Sequence, residues 1–394
     1  MTDYDIIIVG AGPAGSTVAR SAAENGLNVL LLEKRQEIGV PVRCAEGVGK
    51  EKFNEIFKDI DKKWISAEVD GAKVYSPDKK TEIVLSGDKA GNEAGYVLNR
   101  KIFDKDLVKL ATLAGSDLMV KTTATGLKKN KDQGTIELTM QNSDEIFTAE
   151  TKILIGADGI ESKIGNWAGM NTTLNLNELE SCVQYQMTNI NFDERFCHFY
   201  LSYETIPGGY LWIFPKGKNV ANIGLGVLSS LSKKSPKEYL DNFVNNNFPD
   251  GKIIEINAGG VPVGYPLKSA VNDNVMLVGD AARHVDPITG GGILNAMIGG
   301  LFATNIAIES INKKDYSVKT LKKYDELWKN DFGKTLHRNK KVQEKLLTTD
   351  DKTLNSIFHS MENYNITEAN TKKLLYEIIK RNPKLLWDLK GLFV

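Results

Sequence analysis

Gly10, Gly12 and Gly15 stand as G-x-G-x-x-G between an apolar β-branched run, Asp5 to Val9, and small residues at helical spacing from Ala14 to Asn25. Glycines so placed give a tight turn, a close approach of bare backbone to a pyrophosphate, and close packing of helix on strand. Glu33 follows Gly15 by eighteen residues and ends a second apolar run, Asn28 to Leu32. There its carboxylate can accept hydrogen bonds from both hydroxyls of a ribose. Strand, glycine turn, helix, strand and acid in this order predict a βαβ unit of a parallel sheet that carries a dinucleotide on its first turn.

Two further runs place acids at strand ends. GADG at 156–159 and GDAARHVDPITGGG at 279–292 each follow a short apolar run, so that an acidic side chain emerges where open α/β sheets bind ligands. Asp280 can hold a ribityl hydroxyl. Gly290, Gly291 and Gly292 directly precede a helix, which sets bare N–H groups and a positive dipole where the N1–C2=O edge of a reduced flavin gains negative charge. Further on, Tyr210, Trp212 and Phe214 alternate on one face of a predicted strand, either an aromatic wall of a binding site or the core face of a sheet. His284 suits a packing role as well as an acid. Cys44, Cys182 and Cys197 are odd in number and widely spread, matching neither a disulfide framework nor a metal site, so no metal is expected and a reducing, cytoplasmic setting is.

The elements that must position these residues follow from periodicity. Asn99 to Ala114 reads as an amphipathic helix, Asp117 to Thr125 as a strand, and Ile136 to Met140 with Ile146 to Thr151 as a hairpin, before Ile153 to Ile155 enters GADG. Alternating and aromatic-rich runs such as VQYQM, HFYLSY and YLWIFP predict an antiparallel sheet. A strand from Asn274 to Val278 and a helix rich in small residues from Ile293 to Ile311 then return to the first domain. The expected organisation is a dinucleotide domain over 1–170, an antiparallel-sheet substrate domain over 171–266, a return over 267–311, and a helical C-terminal region over 312–394.

Composition excludes several classes. The chain has 394 residues, 41% hydrophobic and 25% charged, and 50 basic against 50 acidic side chains, which argues against a general nucleic-acid binder. The N-terminus has no basic region before its short apolar run, and no stretch is expected to approach the roughly 18 apolar residues of a membrane span, so any membrane contact would be peripheral. Residues 312–394 carry 18 basic against 11 acidic side chains. Within them, Lys372 to Val394 combines leucines, isoleucines, Trp387 and Phe393 with Lys and Arg, a pattern that suits an anionic membrane surface or a helix pair closing a pocket.

The three glycine-rich motifs, in this order from residue 3 to about 310, resemble the FAD-dependent family that includes p-hydroxybenzoate hydroxylase. Tyr210-Leu-Trp212-Ile-Phe214-Pro215, then eight residues and Gly224-Leu-Gly226, resembles the YxWxFP…GxG signature of the geranylgeranyl reductases. The resemblance implies a mixed α/β fold, a Rossmann-like FAD-binding domain interleaved with an antiparallel-sheet substrate domain and a helical C-terminal region. It implies FAD as cofactor, with flavin contacts at Ala14, Gly15, Glu33, Cys44, Ala45, Gly47, Arg100, Ala124, Asp280, Gly292 and Ile293. Substrate contacts fall at Tyr210, Trp212, Phe214 and Pro215, and Cys44, in VRCAEGVG, is the candidate catalytic residue.

The implied reaction saturates the alkenes of geranylgeranyl chains on an archaeal-type glycerophospholipid precursor by coupling hydride delivery to protonation. The proton donor stays open among Cys44, a tyrosine and flavin-bound water. Hydroxylases of the superfamily follow the DG motif with Ser and then Arg, whereas here Ser162 is followed by Gly165 at the place of that Arg. This puts direct use of NADPH in doubt, and the expected electron donor is a ferredoxin-like carrier or NAD(P)H. An aromatic-ring monooxygenase and a non-catalytic prenyl carrier of related fold are the competing readings.

Overall fold

The computed structural model describes residues 3–86, 95–130, 132–362 and 380–381. The chain divides into two units, each assembled from three segments: Met1–Val40, Arg100–Asn175 and Pro262–Asn339 form the first, and Pro41–Asn99, Leu176–Val261 and Lys340–Val394 the second.

In the first unit Tyr4–Val9 lies between Val29–Leu32 and Glu145–Gly156, parallel to both, with Ile7 opposite Leu30 and Leu154. Asp117–Met119 extends the sheet on one side, and Val275–Leu277 and then Val271–Asn272 extend it on the other. Ile6, Ile7, Ile8 and Leu30 to Leu32 are wholly buried, as the unbroken apolar runs of a parallel sheet require. Helix Pro13–Glu24 packs on Arg100–Leu113 and on Ile293–Lys313, where a Cβ on Gly300 would meet the Ala14 carbonyl oxygen at 3.0 Å. Thr122–Asn130, Thr135–Asn142 and Glu145–Gly156 form an antiparallel ribbon with a bulge at Thr139/Met140.

The second unit holds a seven-stranded sheet in the order Lys252–Pro262, Leu179–Thr188, Val220–Leu228, Leu211–Gly217, Phe196–Tyr200, Gly71–Tyr75, Glu82–Ser86. Helix Pro236–Asn247 starts in a Ser235/Glu238 capping box and buries Leu240 and Val244 with Val183, Tyr185, Ile213, Ile223 and Leu225 of the sheet. A small sheet joins Gly47–Gly49, Gly95–Leu98 and Ile65–Val69.

Several expectations need correction. Residues 41–99, placed by the sequence in the dinucleotide domain, belong to the second unit and give its sheet two strands, while 312–339 belong to the first. Phe196–Tyr200 runs parallel to Gly71–Tyr75, so the second sheet is mixed. Asp117 to Thr125 is two strands, broken at Lys121 with φ +54°, and Ile153 to Ile155 continues the hairpin strand without a break. By length and mean hydropathy alone helix Ile293–Lys313 could cross a membrane, although Asn295, Asn305 and Glu309 interrupt its apolar run. Its buried face, Ala296, Met297, Gly299, Gly300, Ala303 and Ala307, packs in the core of the first unit. The stretch Lys372 to Val394 lies outside the described residues, Lys380 and Arg381 excepted.

Candidate active site

The first unit builds a dinucleotide cradle. Gly10 has φ +108°, and a Cβ there would fall 2.2 Å from the Ala157 carbonyl oxygen; one on Gly15 would fall 1.9 Å from the Gly10 carbonyl oxygen. Both glycines are therefore demanded by close packing of turn, helix and neighbouring strand. Gly12 faces open space and is the N-cap of helix Pro13–Glu24, which has no side-chain cap and no acid in its first turn. Its leading N–H groups are thus left for an anion. Glu33 accepts from the Ala11 N–H at 3.1 Å through Oε2 and from the Arg35 N–H at 3.0 Å through Oε1, which fixes the carboxylate beside the turn.

Asp280 emerges in a short 3-10 turn, Gly279–Ala282, whose Gly279 has φ +63° and approaches Ala14 and Ala296. Burial raises the Asp280 carboxyl above the usual range, against the pull of Arg100, and among the described residues its side chain has no hydrogen-bond partner. A Cβ on Gly292 would lie 3.6 Å from Asp280 Oδ1. Gly292 caps helix Ile293–Lys313, again with no side-chain cap and no acid in the first turn. Asp286, which the sequence reading passed over, shapes this loop: its Oδ1 accepts from Ile288 N–H and Thr289 N–H, and its Oδ2 from Asn339 Nδ2 at 2.6 Å. An open glycine face, two uncapped helix starts and an orphaned carboxyl fit a flavin dinucleotide.

The other candidates of this unit are placed as follows. Arg100 opens its helix, only 15% exposed, and its guanidinium is held in a bidentate pair with Asp104 at 2.6 and 2.7 Å. Ala124 is buried in strand Thr122–Asn130. His284 is fully buried among Trp328, Phe332 and Tyr324; burial lowers it to about 3, which suits packing and not proton donation. A Cβ on Gly165 would lie 2.5 Å from Thr172 Cγ2, 2.9 Å from Leu277 Cδ1 and 2.9 Å from Ser162 Oγ, so the hydroxylase arginine has no room at this position.

In the second unit the register brings the aromatic signature and the Cys44 loop together. Cys182 pairs with Gly226 and Gln184 with Gly224; Gly224 in turn pairs with Trp212, and the Gly226 N–H donates to the Tyr210 carbonyl. One face therefore carries Glu180, Cys182, Gln184, Tyr210, Trp212 and Phe214, while the opposite face packs on helix Pro236–Asn247. Trp212 and Phe214 are 7% and 8% exposed and cluster with Val69, Val97 and Cys197, with Ala45, Cys182, Phe199 and Tyr210 against them. A Cβ on Gly224 would fall 2.4 Å from the Trp212 indole, and one on Gly47 2.6 Å from the Phe214 ring. The glycines of the signature are the bare floor on which these rings lie.

Polar bonds lock the arrangement. Trp212 Nε1–H donates to Gln184 Oε1 at 2.9 Å, and Gln184 Nε2–H donates to the Cys44 carbonyl at 3.1 Å. The Cys44 sulfur accepts from the Glu46 N–H at 3.2 Å. Glu46, at φ +76°, is buried and accepts from Lys216 Nζ and Asn222 Nδ2, both at 2.6 Å, while Lys216 Nζ also donates to the Leu98 carbonyl. Pro215 sits at a bulge beside them. Sequence reasoning missed Gln184, Glu46, Lys216, Asn222 and Glu180; for Glu180 and Gln184 the signal available was LESCVQYQM, in which Glu180, Cys182, Gln184 and Gln186 recur on alternate positions. Among the described residues no group of three or more His, Cys, Asp or Glu side chains could hold a metal ion.

Comparison with known proteins bears on both units. Residues 178–261 match the geranylgeranyl reductase catalytic domain and residues 5–200 the FAD dependent oxidoreductase family. The chain is 49% identical over 392 residues to a digeranylgeranylglycerophospholipid reductase of Methanocella arvoryzae, covering 99% of each. It is 46% identical over 391 residues to digeranylgeranylglycerophospholipid reductase 2 of Methanococcoides burtonii, covering 99% of this chain and 96% of that one. Among solved structures, a geranylgeranyl bacteriochlorophyll reductase-like protein from Thermoplasma acidophilum is 40% identical with a TM-score of 0.93, over 99% of both chains. A flavin-dependent brominase shares the fold alone, at 17% identity and a TM-score of 0.72 over 98% of this chain and 99% of that one.

Proposed function

The chain belongs to the geranylgeranyl reductase family and is an FAD-dependent reductase; we propose that it saturates the double bonds of geranylgeranyl chains on an archaeal-type glycerophospholipid precursor. The observation that carries the substrate class is the aromatic face of the second-unit sheet, floored by Gly224 and Gly226, in a chain whose full-length relatives are named for this reduction.

FAD, when bound and reduced, supplies the hydride. In this proposal Gly10, Gly12, Ala14 and Gly15 take the pyrophosphate, with Arg100 near it, and Glu33 the ribose. Asp280 takes the ribityl chain, and Gly290 to Gly292 with Ile293 the flavin edge that gains charge. Ala124, Cys44, Ala45 and Gly47 complete the flavin contacts. Tyr210, Trp212, Phe214 and Pro215 guide the isoprenoid, and their faces stabilise tertiary cation character at the alkene by roughly 1–2 kcal/mol when water is excluded. Gln184 holds the Trp212 indole and the Cys44 backbone in one register, so a change at any of the three disturbs the others.

A low-potential carrier of the ferredoxin kind is the proposed electron donor, because Gly165 leaves no space for the arginine with which hydroxylases handle the nicotinamide nucleotide. The proposed place of action is the cytoplasmic membrane surface, where such a lipid resides. The deciding experiment is anaerobic incubation of the dithionite-reduced holoprotein with the digeranylgeranyl ether lipid and, separately, with geranylgeranyl diphosphate. Mass gains of two units per double bond support the reading, and unchanged lipid in both refutes it.

A further inference from the structure

The face that carries the aromatic ladder also carries an acid with no assigned role. Glu180 and Cys182 point to the same side of strand Leu179–Thr188 as Gln184, and Gly226 opposite them has no side chain. A Cβ at Gly226 would fall 2.8 Å from Glu180 Oε2 and 3.0 Å from Cys182 Sγ, so the carboxyl and the thiol lie across the bare backbone of this glycine, whose N–H is bonded to the Tyr210 carbonyl. Glu180 is 6% exposed, and burial and the charge of Lys340, with no hydrogen bond, set the state of its carboxyl. Its cross-strand neighbour Leu228 is apolar and buried.

Resting on the reading above, we propose that Glu180 is the general acid that delivers the proton to the substrate alkene. Each saturation adds a hydride equivalent, which the reductase activity supplies, to one alkene carbon and a proton to the other. The π bond is lost, the Glu180 O–H bond breaks as the second C–H bond forms, and the carboxylate left behind recovers a proton from solvent before the next double bond arrives.

The surroundings suit this cycle. Burial pushes the Glu180 carboxyl up to about 8, so it holds its proton at neutral pH. The charged and titratable groups that face it are Cys182, whose thiol burial and Glu180 itself raise well above the usual value, and Lys340, from helix Lys334–Leu346. Lys340 is buried, donates to Gln343 Oε1 at 2.7 Å, and has Glu178 and Glu344 as its other carboxylate neighbours. It is the cation toward which the nascent carboxylate is drawn. The thiol, held further from ionisation, is the poorer acid.

The test uses flavin-loaded wild type and Glu180→Gln. Reduced anaerobically, each is mixed with the digeranylgeranyl ether lipid while reoxidation of the flavin band is followed from pH 6 to 10 and products are weighed. The expected result is a loss of at least 100-fold in the rate for Glu180→Gln, with flavin content, reduction by dithionite and KM for lipid unchanged. Wild-type rates should fall above about pH 8, a limb the variant lacks. In difference infrared spectra a protonated-carboxyl band should titrate with the same midpoint and be absent from Glu180→Gln. If Glu180→Gln does not accumulate as flavin-loaded protein, Glu180→Asp replaces it, with a tenfold or greater fall in kcat at constant KM expected. A variant within threefold of wild type at every pH overturns the role of Glu180 alone, whereas a wild type that saturates no geranylgeranyl substrate overturns the functional reading beneath it.

Discussion

Lys216→Met isolates the buried pair that holds the Cys44 loop. Lys216 and Glu46 side chains are 7% and 5% exposed, and the ammonium gives two charge-assisted bonds, to Glu46 Oε2 and to the Leu98 carbonyl. Methionine fills similar volume but takes the ammonium away from the buried Glu46 carboxylate, to which the Asn222 amide still donates. Removing one partner of a buried pair costs roughly 3–5 kcal/mol, and at about 2–4 °C per kcal/mol for a domain of 150–250 residues this lowers the melting point by about 6–20 °C. Circular dichroism melts of the flavin-loaded protein measure it. The double variant Glu46→Gln/Lys216→Met buries no charge and should recover at least half of the loss, which a double-mutant cycle reads as coupling. The surviving single variant should also turn lipid over more slowly at normal flavin content, since Glu46 at φ +76° no longer has its anchor. A single variant that melts within 2 °C of wild type would refute the reasoning.

Gly15→Ala should yield colourless or flavin-poor protein, because its Cβ would lie 1.9 Å from the Gly10 carbonyl oxygen; normal absorbance at 450 nm would contradict this. Gly165→Arg, made to restore the hydroxylase pattern, should fail to accumulate and should not gain NADPH reduction, since Thr172 and Leu277 fill the space; a soluble variant whose flavin NADPH bleaches rapidly in stopped flow would count against it. His284 is held near 3 in the fold against 6.5 when exposed, so the unfolded chain binds the extra proton between those values and stability falls as pH drops below about 6.5, by up to roughly 1.4 kcal/mol per pH unit. Urea unfolding of wild type and His284→Phe at pH 8, 6 and 5 should therefore diverge only on the acid side, and parallel curves would exclude the effect.

What was legible in the sequence is what local backbone requires. Gly10, Gly12 and Gly15 announce a turn through local demands, the positive φ of Gly10 and the approach of Gly15 to the Gly10 carbonyl, and Asp280 and Gly292 sit within one motif, so both ends could be read before folding, although the approach of Gly10 to Ala157 could not. The order of domains could not. An alternating run such as GAKVY reads as a strand wherever its partner lies, and only long-range pairing sends Gly71–Tyr75 to Phe196–Tyr200. Register explains the rest. That Gly224 and Gly226 exist to admit the Trp212 indole and the Glu180 carboxyl depends on which residue of Leu179–Thr188 faces which residue of Val220–Leu228, and no spacing within either segment encodes it. Arg100 reads as a pyrophosphate ligand, yet its guanidinium is first of all the partner of Asp104, one helical turn on.

The threading of the chain has a consequence for its synthesis. Strand Glu145–Gly156 leaves the ribosome about 120 residues before Val275–Leu277, the strand that covers its outer edge. At 5–20 residues per second the nascent protein spends roughly 6–24 s with the hydrogen-bonding edge of Leu154 and Ile155 unsatisfied. An apolar, unpaired edge of this kind is a template for pairing with another chain. Asp280 and the Gly290–Gly292 turn emerge later still, so flavin cannot close over the finished cradle until that interval has passed. Expression hosts short of chaperones or of riboflavin should accordingly lose this protein to aggregation during translation and not after it, and a chain stopped near residue 260 should precipitate even though four of the six core strands of its first sheet are complete.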